Sequence, residues 1–384
     1  MEDNRNFILA IVLTIGILFG WDFFYGAPKR AVQQIEAAKI EEAQKDQQFE
    51  AGTPDMASGQ IEVSGGIPGM APAVIKEITE GRSDVINERN NVLIDGDRIK
   101  GTINLKGLRF DDISLKDYRQ TVDKNSDNVN LLNPSVAIKA YFADFGWIGD
   151  GTKPDSNSIW NTNSRTLTSD SPIFFTWDNG EGLLFSREVS IDENYMFTVK
   201  QRVENNSTEA VTMATYGRIY REGGIEGPAM FILHQGPLRV GDEGKEEITF
   251  KDLQEEVFEK EEVTEGGWVG ITDKYWLVAL VPDQDKKFVT NISHTAQNGG
   301  DQFHVNFATK GAAIAPGASI EKTSRFFAGA KEVDLLDYYT EVGGIKMFDY
   351  AIDWGWLHFI TKPIYIGLDF FYHLVGNFGI AILL

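Results

Sequence analysis

LLFSREVSI (183–191) and the run that follows it, YMFTVKQRVENN (195–206), decide the fold. Apolar and polar residues alternate along both, the period of a half-buried strand. The same pattern, or a short apolar core, recurs in NVLIDG (91–96), IKGTINLKGL (99–108), VAIKAYFADF (136–145), PIFFTWDNG (172–180) and KYWLVALVP (274–282). Turn residues punctuate these runs at Asp95-Gly96, Asn179-Gly180, Asn205-Asn206 and Asn298-Gly299-Gly300. Phe, Tyr, Val, Ile and Thr crowd the runs, as pleated surfaces favour. No ten-residue helical alternation separates one run from the next, which argues against a parallel sheet with crossover helices. The expectation for residues 76–342 is a mainly β domain, a large antiparallel sandwich of two sheets with helices at its C-terminal end.

Both flanks read differently. Residues 7–25, FILAIVLTIGILFGWDFFY, form an apolar run ending in Trp21, Phe23, Phe24 and Tyr25, which fits a transmembrane helix with an interfacial aromatic belt. The six residues before it carry only Arg5 against Glu2 and Asp3, and no small-x-small cleavage site follows, so it reads as an uncleaved anchor. Gly16 and Gly20 make a single GxxxG step, a weak sign of helix packing. Lys29, Arg30 and Lys39 outnumber Arg5 across the span, a small bias that leaves orientation open. Residues 26–75 read as a flexible linker, Gln/Glu/Ala/Lys-rich and then Gly/Pro/Ser-rich.

At the other end, AKEVDLLDYYTEV (330–342) places Val333, Leu336, Tyr339 and Thr340 on one helical face. Residues 343–374 combine Trp354, Trp356, Phe359, Tyr365, Phe370 and Phe371 with Lys362, Asp369 and His373, a mixture suited to a helix in the headgroup layer. Pro363 is expected to kink or restart that helix. Residues 375–384, VGNFGIAILL, read as an apolar run without a turn, the start of a second transmembrane helix.

The chain of 384 residues has a net charge of −21, which excludes a nucleic-acid partner on electrostatic grounds. It has no cysteine, hence no disulfide framework and no thiol nucleophile. No HExxH, GxSxG or phosphate-binding loop occurs among its residues. The five histidines are His234, His294, His304, His358 and His373. His294 and His304 could line a cleft, and sugar chemistry would need one of them to converge with Glu321 or Asp301; nothing in their spacing requires it. EGGIEG (222–227) and EGGWVG (265–270) read as tight turns rather than anion cradles, because an acid precedes each. EEVFEKEE (255–262) reads as a solvated helix face, and Asp111-Asp112 as a turn pair. No catalytic, cofactor-binding or metal-binding residue is assigned, no cofactor is implied, and the chain does not read as an enzyme.

Several long blocks carry a resemblance. DNRNFILAIVLTIGILFGWDFFY (3–25) resembles the first membrane segment of the bacterial YidC insertases. INLKGLRFDDISLKDYRQTVD (103–123), ILHQGPLRV (232–240), GGWVGITDKYWLVALVPDQD (266–285) and FFAGAKEVDLLDYY (326–339) resemble that family's periplasmic domain. DWGWLHFITKPIYIGLDFFYHLVGNFGIAILL (353–384) is similar to its interfacial helix running into the second span. The resemblance implies a bacterial inner-membrane protein, multi-pass when complete, with residues 1–6 cytoplasmic and a β-supersandwich in the periplasm. It implies assistance to the insertion and folding of nascent integral membrane proteins, alone or with the Sec translocon and its accessory subunits, in contact with membrane lipids. The family's hydrophilic-groove core, with its arginine, has no counterpart among these residues. The alternative is a membrane-tethered carbohydrate-binding or mutarotase-like β-sandwich.

Overall fold

The computed structural model describes residues 82–87, 89–135, 137, 139–224, 234–255, 260–297, 300–355 and 358–384. All lie in the compact unit Ile61–Leu384. The expected anchor at 7–25, the linker at 26–75 and the residues from there up to 81 lie outside the described residues. In chain order the strands are β1 (Asn91–Asp95), β2 (Ile99–Asn104), β3 (Arg109–Arg119), β4 (Asn128–Leu132), β5 (Tyr141–Gly149), β6 (Asn161–Thr162) and β7 (Thr166–Leu167). There follow β8 (Ile173–Asp178), β9 (Leu183–Ile191), β10 (Met196–Asn205), β11 (Val211–Glu222), β12 (Gly236–Gly241), β13 (Gly244–Glu247) and β14 (Lys260–Glu265). The last are β15 (Trp268–Thr272), β16 (Trp276–Val281), β17 (Lys287–Gln297), β18 (Gly300–Thr309), β19 (Ala312–Ile314) and β20 (Ser319–Ala330). The helices are α1 (Arg82–Asn87), α2 (Phe250–Glu255), α3 (Val333–Glu341), α4 (His358–Val375) and α5 (Phe378–Leu383).

The strands form the sandwich that alternation predicts. One sheet has 11 strands in the order β14-β17-β18-β11-β5-β3-β2-β1-β7, with β19 on β11 and β4 on β3. The other has 9 in the order β13-β12-β15-β16-β20-β10-β9-β8-β6. Among the described strands the pairs are antiparallel except β1 with β7. Burial alternates strictly along β9, so Leu183, Phe185, Val189 and Ile191 point inward. Phe110 of β3 meets Phe197 of β10 and Phe326 of β20 at 5.3 and 5.2 Å between ring centroids, and Phe145 of β5 meets Phe326 at 6.0 Å. These edge and tilted contacts stitch the sheets into one apolar core. Arg187 also points inward from β9. Its guanidinium donates to the Phe145 carbonyl (2.5 Å) and Gln201 Oε1 (3.0 Å) and lies over Trp160, and burial pushes its pKa down to about 10.

The turn at EGGWVG is as expected. Gly266 and Gly267 have φ of +70° and +104°, and a Cβ on Gly267 would come within 2.0 Å of the Val240 carbonyl oxygen, so only glycine fits. Of EGGIEG, residues from 225 onward lie outside the described set. Two expectations fail here. Asp111-Asp112 is no turn: both sit in β3, Asp111 as the extra residue of a bulge opposite Thr102 and Ile103, and both are buried. The acidic run 255–262 is no single helix: α2 ends at Glu255, and β14 begins at Lys260 because pairing with β17 and an ion pair from Arg239 to Glu262 hold it as a strand.

Helix α3 forms where the 3.6-residue spacing places it. Leu335, Leu336 and Tyr339 are buried, Val333 and Thr340 half-buried, and the Tyr339 ring packs on Phe327 and Phe348. Arg98 grips the carboxylate of Glu332, the residue before α3, through both terminal nitrogens at 3.0 and 2.6 Å, and the Tyr118 hydroxyl donates to it at 2.7 Å. The start of α3, which follows β20 of the smaller sheet, is thereby tied to the larger one. Helix α4 runs through Pro363 without the restart that was one of the two expectations there. Proline there removes a single backbone donor in the second turn of the helix. The run 375–384 does contain a break: Gly376 adopts φ +65° and Asn377 caps α5, its Oδ1 accepting from the Ile380 amide at 3.2 Å.

Candidate functional site

Strand alternation puts Phe145 and Trp147 of β5 into the core and sends Phe142 and Asp144 to the opposite face of the large sheet. There β5, β11, β18 and β17 bring two rows into register. One is Phe142, Tyr220, His304 and Ser293; the other is Asp144, Arg218, Asn306 and Asn291. All eight are buried. Tyr220 stacks on Phe142 at 4.9 Å and meets the His304 ring edge-on at 5.3 Å. Arg218 pairs with Asp144 through Nε at 3.2 Å and through a second, closer bond from Nη2, and Arg109 lies 3.9 Å from the same carboxylate. Burial pushes the pKa of Arg218 down, yet Asp144 more than offsets this and the net shift is upward. Burial, reinforced by Arg218, pushes His304 down to about 4, so the imidazole is neutral near pH 7.

Among the described residues, the Tyr220 hydroxyl, His304 Nδ1, both amide atoms of Asn306 and Asn291 Oδ1 make no hydrogen bond. The face is therefore polar in composition, aromatic along one row, and electrically closed by the Asp144–Arg218 pair. A neutral imidazole beside a carboxylate already held by arginine offers hydrogen bonds but no acid–base couple. Asp144 was not singled out by its sequence. Its signal is an acid inside YFADFGWIG, a strand in which every residue is buried; a buried acid demands a buried cation.

The other candidates separate. His294 is brought to Asp301, Nε2 to Oδ1 at 2.8 Å, and Gln254 of α2 donates to the second carboxylate oxygen at 2.7 Å. His304 neighbours His294's strand partner Phe303, so the two histidines face opposite sides of the sheet. Glu321 is exposed in β20 of the other sheet, opposite Arg202. His234 is held at the Pro237 carbonyl (3.0 Å), its pKa pushed down by burial. The His358 side chain lies outside the described set, and His373 is exposed beside Asp369. Asp111 and Asp112 are engaged by Arg89 and Arg82. Among the described residues no group of His, Asp and Glu is arranged to hold a metal ion.

The C-terminal helices form the second notable surface. Lys362 reaches Asp337 of α3 at 3.2 Å and Asp349 at 3.8 Å, and Tyr365 packs on Trp354 at 5.3 Å. These contacts fix the docked side of α4. The other side presents Phe359, Ile360, Ile364, Ile366, Phe370 and Leu374, all exposed, and α5 continues with Phe378, Ile380 and Leu383. An exposed apolar patch of this extent marks an interaction surface. Among the described residues no helix is long and apolar enough to cross a membrane.

A two-sheet domain that ends in helices with an exposed apolar side defines the class: a β-sandwich carrying an apolar helix at its C-terminal end. A family model described as the YidC periplasmic domain matches residues 91–366. The chain is 37% identical over 390 residues to a membrane protein insertase YidC of Rickettsia bellii, covering 100% of this chain and 65% of that protein. It is 38% identical over 401 residues to one from Methylorubrum extorquens, covering 100% and 64%. The chain belongs to the YidC family, and spans a little under two thirds of the length of these relatives. Among solved structures it is similar to a galactose mutarotase-like protein from Lactobacillus casei, at 11% identity and a TM-score of 0.42, covering 62% of this chain and 100% of that one.

Proposed function

We propose that this chain works as part of a membrane protein insertase in the bacterial inner membrane. Residues 7–25 anchor it, the sandwich stands in the periplasm, and residues 343–374 lie at the membrane surface. The remainder, from 375, leads into the bilayer. Its substrates are nascent integral membrane proteins, received alone or beside the Sec translocon and its accessory subunits. The observation that carries this reading is the row Ile360, Ile364, Ile366, Phe370 and Leu374 on α4, exposed in the fold and lying where the family match ends. Each such side chain gains roughly 1.5–3 kcal/mol on leaving water, so several together favour a lipid surface over solution.

Insertion makes and breaks no covalent bond. A polar segment crossing hydrocarbon is costly because its backbone groups go unsatisfied, and a wet path through the protein shortens the dry distance. The residues of this chain contribute the anchoring and the height of the domain over that path. Lys362, paired with Asp337 of α3, and Tyr365, packed on Trp354, set that height by fixing α4 to the domain. Depleting the protein from its own cell tests the reading. Newly made membrane proteins should then remain accessible to protease on the side where they are synthesised. Normal insertion after depletion would contradict it.

A further inference from the structure

A groove of about 380 Å³ opens where β2, β3 and β4 meet the start of α1. Its charged lining is Arg82, Lys100 and Arg119 against Asp127. That balance runs against the chain as a whole, which carries 57 acidic residues and 36 lysines and arginines. Surplus carboxylates are plentiful, yet two of the three cations are held by neutral oxygens. Lys100 Nζ donates to Asn128 Oδ1 at 2.6 Å, and Arg119 donates to the Ser126 carbonyl at 2.6 Å. Among the described residues neither has an ion-pair partner. Arg82 is shared between Asp112 and the Ser114 hydroxyl, the latter at 3.2 Å. Each of these bonds uses one donor where an ammonium has three and a guanidinium five.

We infer that this groove binds a phosphate group. Its two exposed cations converge with spare donors on a concave, polar space large enough for a tetrahedral oxyanion. An anion adds ion pairing to donors that Lys100 and Arg119 now direct only at neutral oxygens. Arg119 supplies a planar fork for two oxygens and Lys100 a point charge for a third. The Asn128 side chain, anchored through its own amide to the Lys116 and Tyr118 carbonyls at 3.0 and 3.3 Å, keeps Lys100 in place. The phosphate has two possible sources, a phospholipid headgroup and free inorganic phosphate. The inference stands apart from the insertase reading, since it needs no client protein.

The test is hydrogen exchange on the full chain, read over the 119–130 hairpin, in two arms. Inorganic phosphate is added to the protein in neutral detergent, with chloride at equal ionic strength as the control. Separately, the protein is placed in phosphatidylcholine nanodiscs with and without phosphatidylglycerol. Exchange should slow about threefold at a ligand concentration of twice the Kd, and Lys100→Ala/Arg119→Ala should abolish the slowing while leaving exchange in the core strands unchanged. Slowing by phosphate alone assigns the free ion, slowing by phosphatidylglycerol assigns the headgroup, and either supports the site. No slowing in either arm, or equal slowing in the double variant, overturns it. Charge-preserving Lys100→Arg should retain the effect; if it fails while the fold is intact, phosphate recognition by charge is wrong.

Discussion

Phe326 in β20 is wholly buried among Phe110, Phe145 and Phe197, whereas Phe370 in α4 leaves 64% of its surface open. The two residues are chemically identical and belong to one compact unit, yet the sandwich consumes the first and the helix offers the second. The sandwich also pairs its buried charges internally: Asp144 with Arg218, Asp111 with Arg89, and Arg187 Nη2 with a carbonyl and an amide oxygen. The helix keeps its charges, Lys362 and Asp369, toward the domain or its own turn and its apolar groups outward. One region thus closes on itself, and the other leaves its apolar side open.

The sharpest way to break that comparison is to truncate one phenylalanine from each region. Phe326→Ala should destabilise the domain by about 3–5 kcal/mol, transfer and cavity costs together. Phe370→Ala should change folding stability by less than about 0.5 kcal/mol. Urea denaturation followed by far-UV circular dichroism reads both, and equal losses would erase the distinction. Next in size is Asp144→Ala, which leaves Arg218 buried without its carboxylate and should cost about 3 kcal/mol or more in the same assay. A loss under about 1 kcal/mol would mean that the outer face of the large sheet is wetter than its burial indicates.

A comparable effect depends on pH. His304 is held neutral in the fold, its pKa near 4 against 6.5 for an unburied histidine. The unfolded chain therefore takes up the proton first, so stability is complete above about pH 6.5 and falls as the pH drops toward 4, by about 3 kcal/mol. His304→Phe, which keeps a ring against Tyr220, should flatten that part of the stability profile relative to the parent. Identical slopes in the two proteins would place the histidine in water. The smallest expected effect falls on the helix. Phe359, Phe370 and Leu374 changed together to Ser should lower vesicle partitioning of residues 61–384 about tenfold or more, close to 1.4 kcal/mol, with an unchanged denaturation midpoint. Unaltered flotation would remove α4 from the interface.

Much of the sandwich was legible because most of its strands bury one side only, and a period of two survives in the residues, as along β9 and β10. Legibility failed where polar residues are buried by partners far away in the chain. Asp111 and Asp112 look like a turn until Arg89 and Arg82 are seen against them, and Glu262 looks like a solvated helix face until Arg239 reaches it from β12. No local window contains those arginines. Pro363 and Gly376 failed for a different reason. Proline near a helix start costs one hydrogen bond, which the rest of α4 tolerates, while a lone glycine followed by asparagine was enough to break the apolar run. The apolar outer side of α4 was legible in its aromatic density, and Ile364, Ile366, Phe370 and Leu374 there are exposed.

The account rests on the outer side of α4 meeting lipid. The absence of cysteine from the chain allows one residue at a time to be labelled. Phe370→Cys and, as a reference on the exposed segment before β6, Ile159→Cys would each carry an environment-sensitive fluorophore in the full chain reconstituted into vesicles. The account predicts blue-shifted emission at position 370, shielded from an aqueous quencher, and water-like emission at 159. Equal quenching at both positions would contradict it.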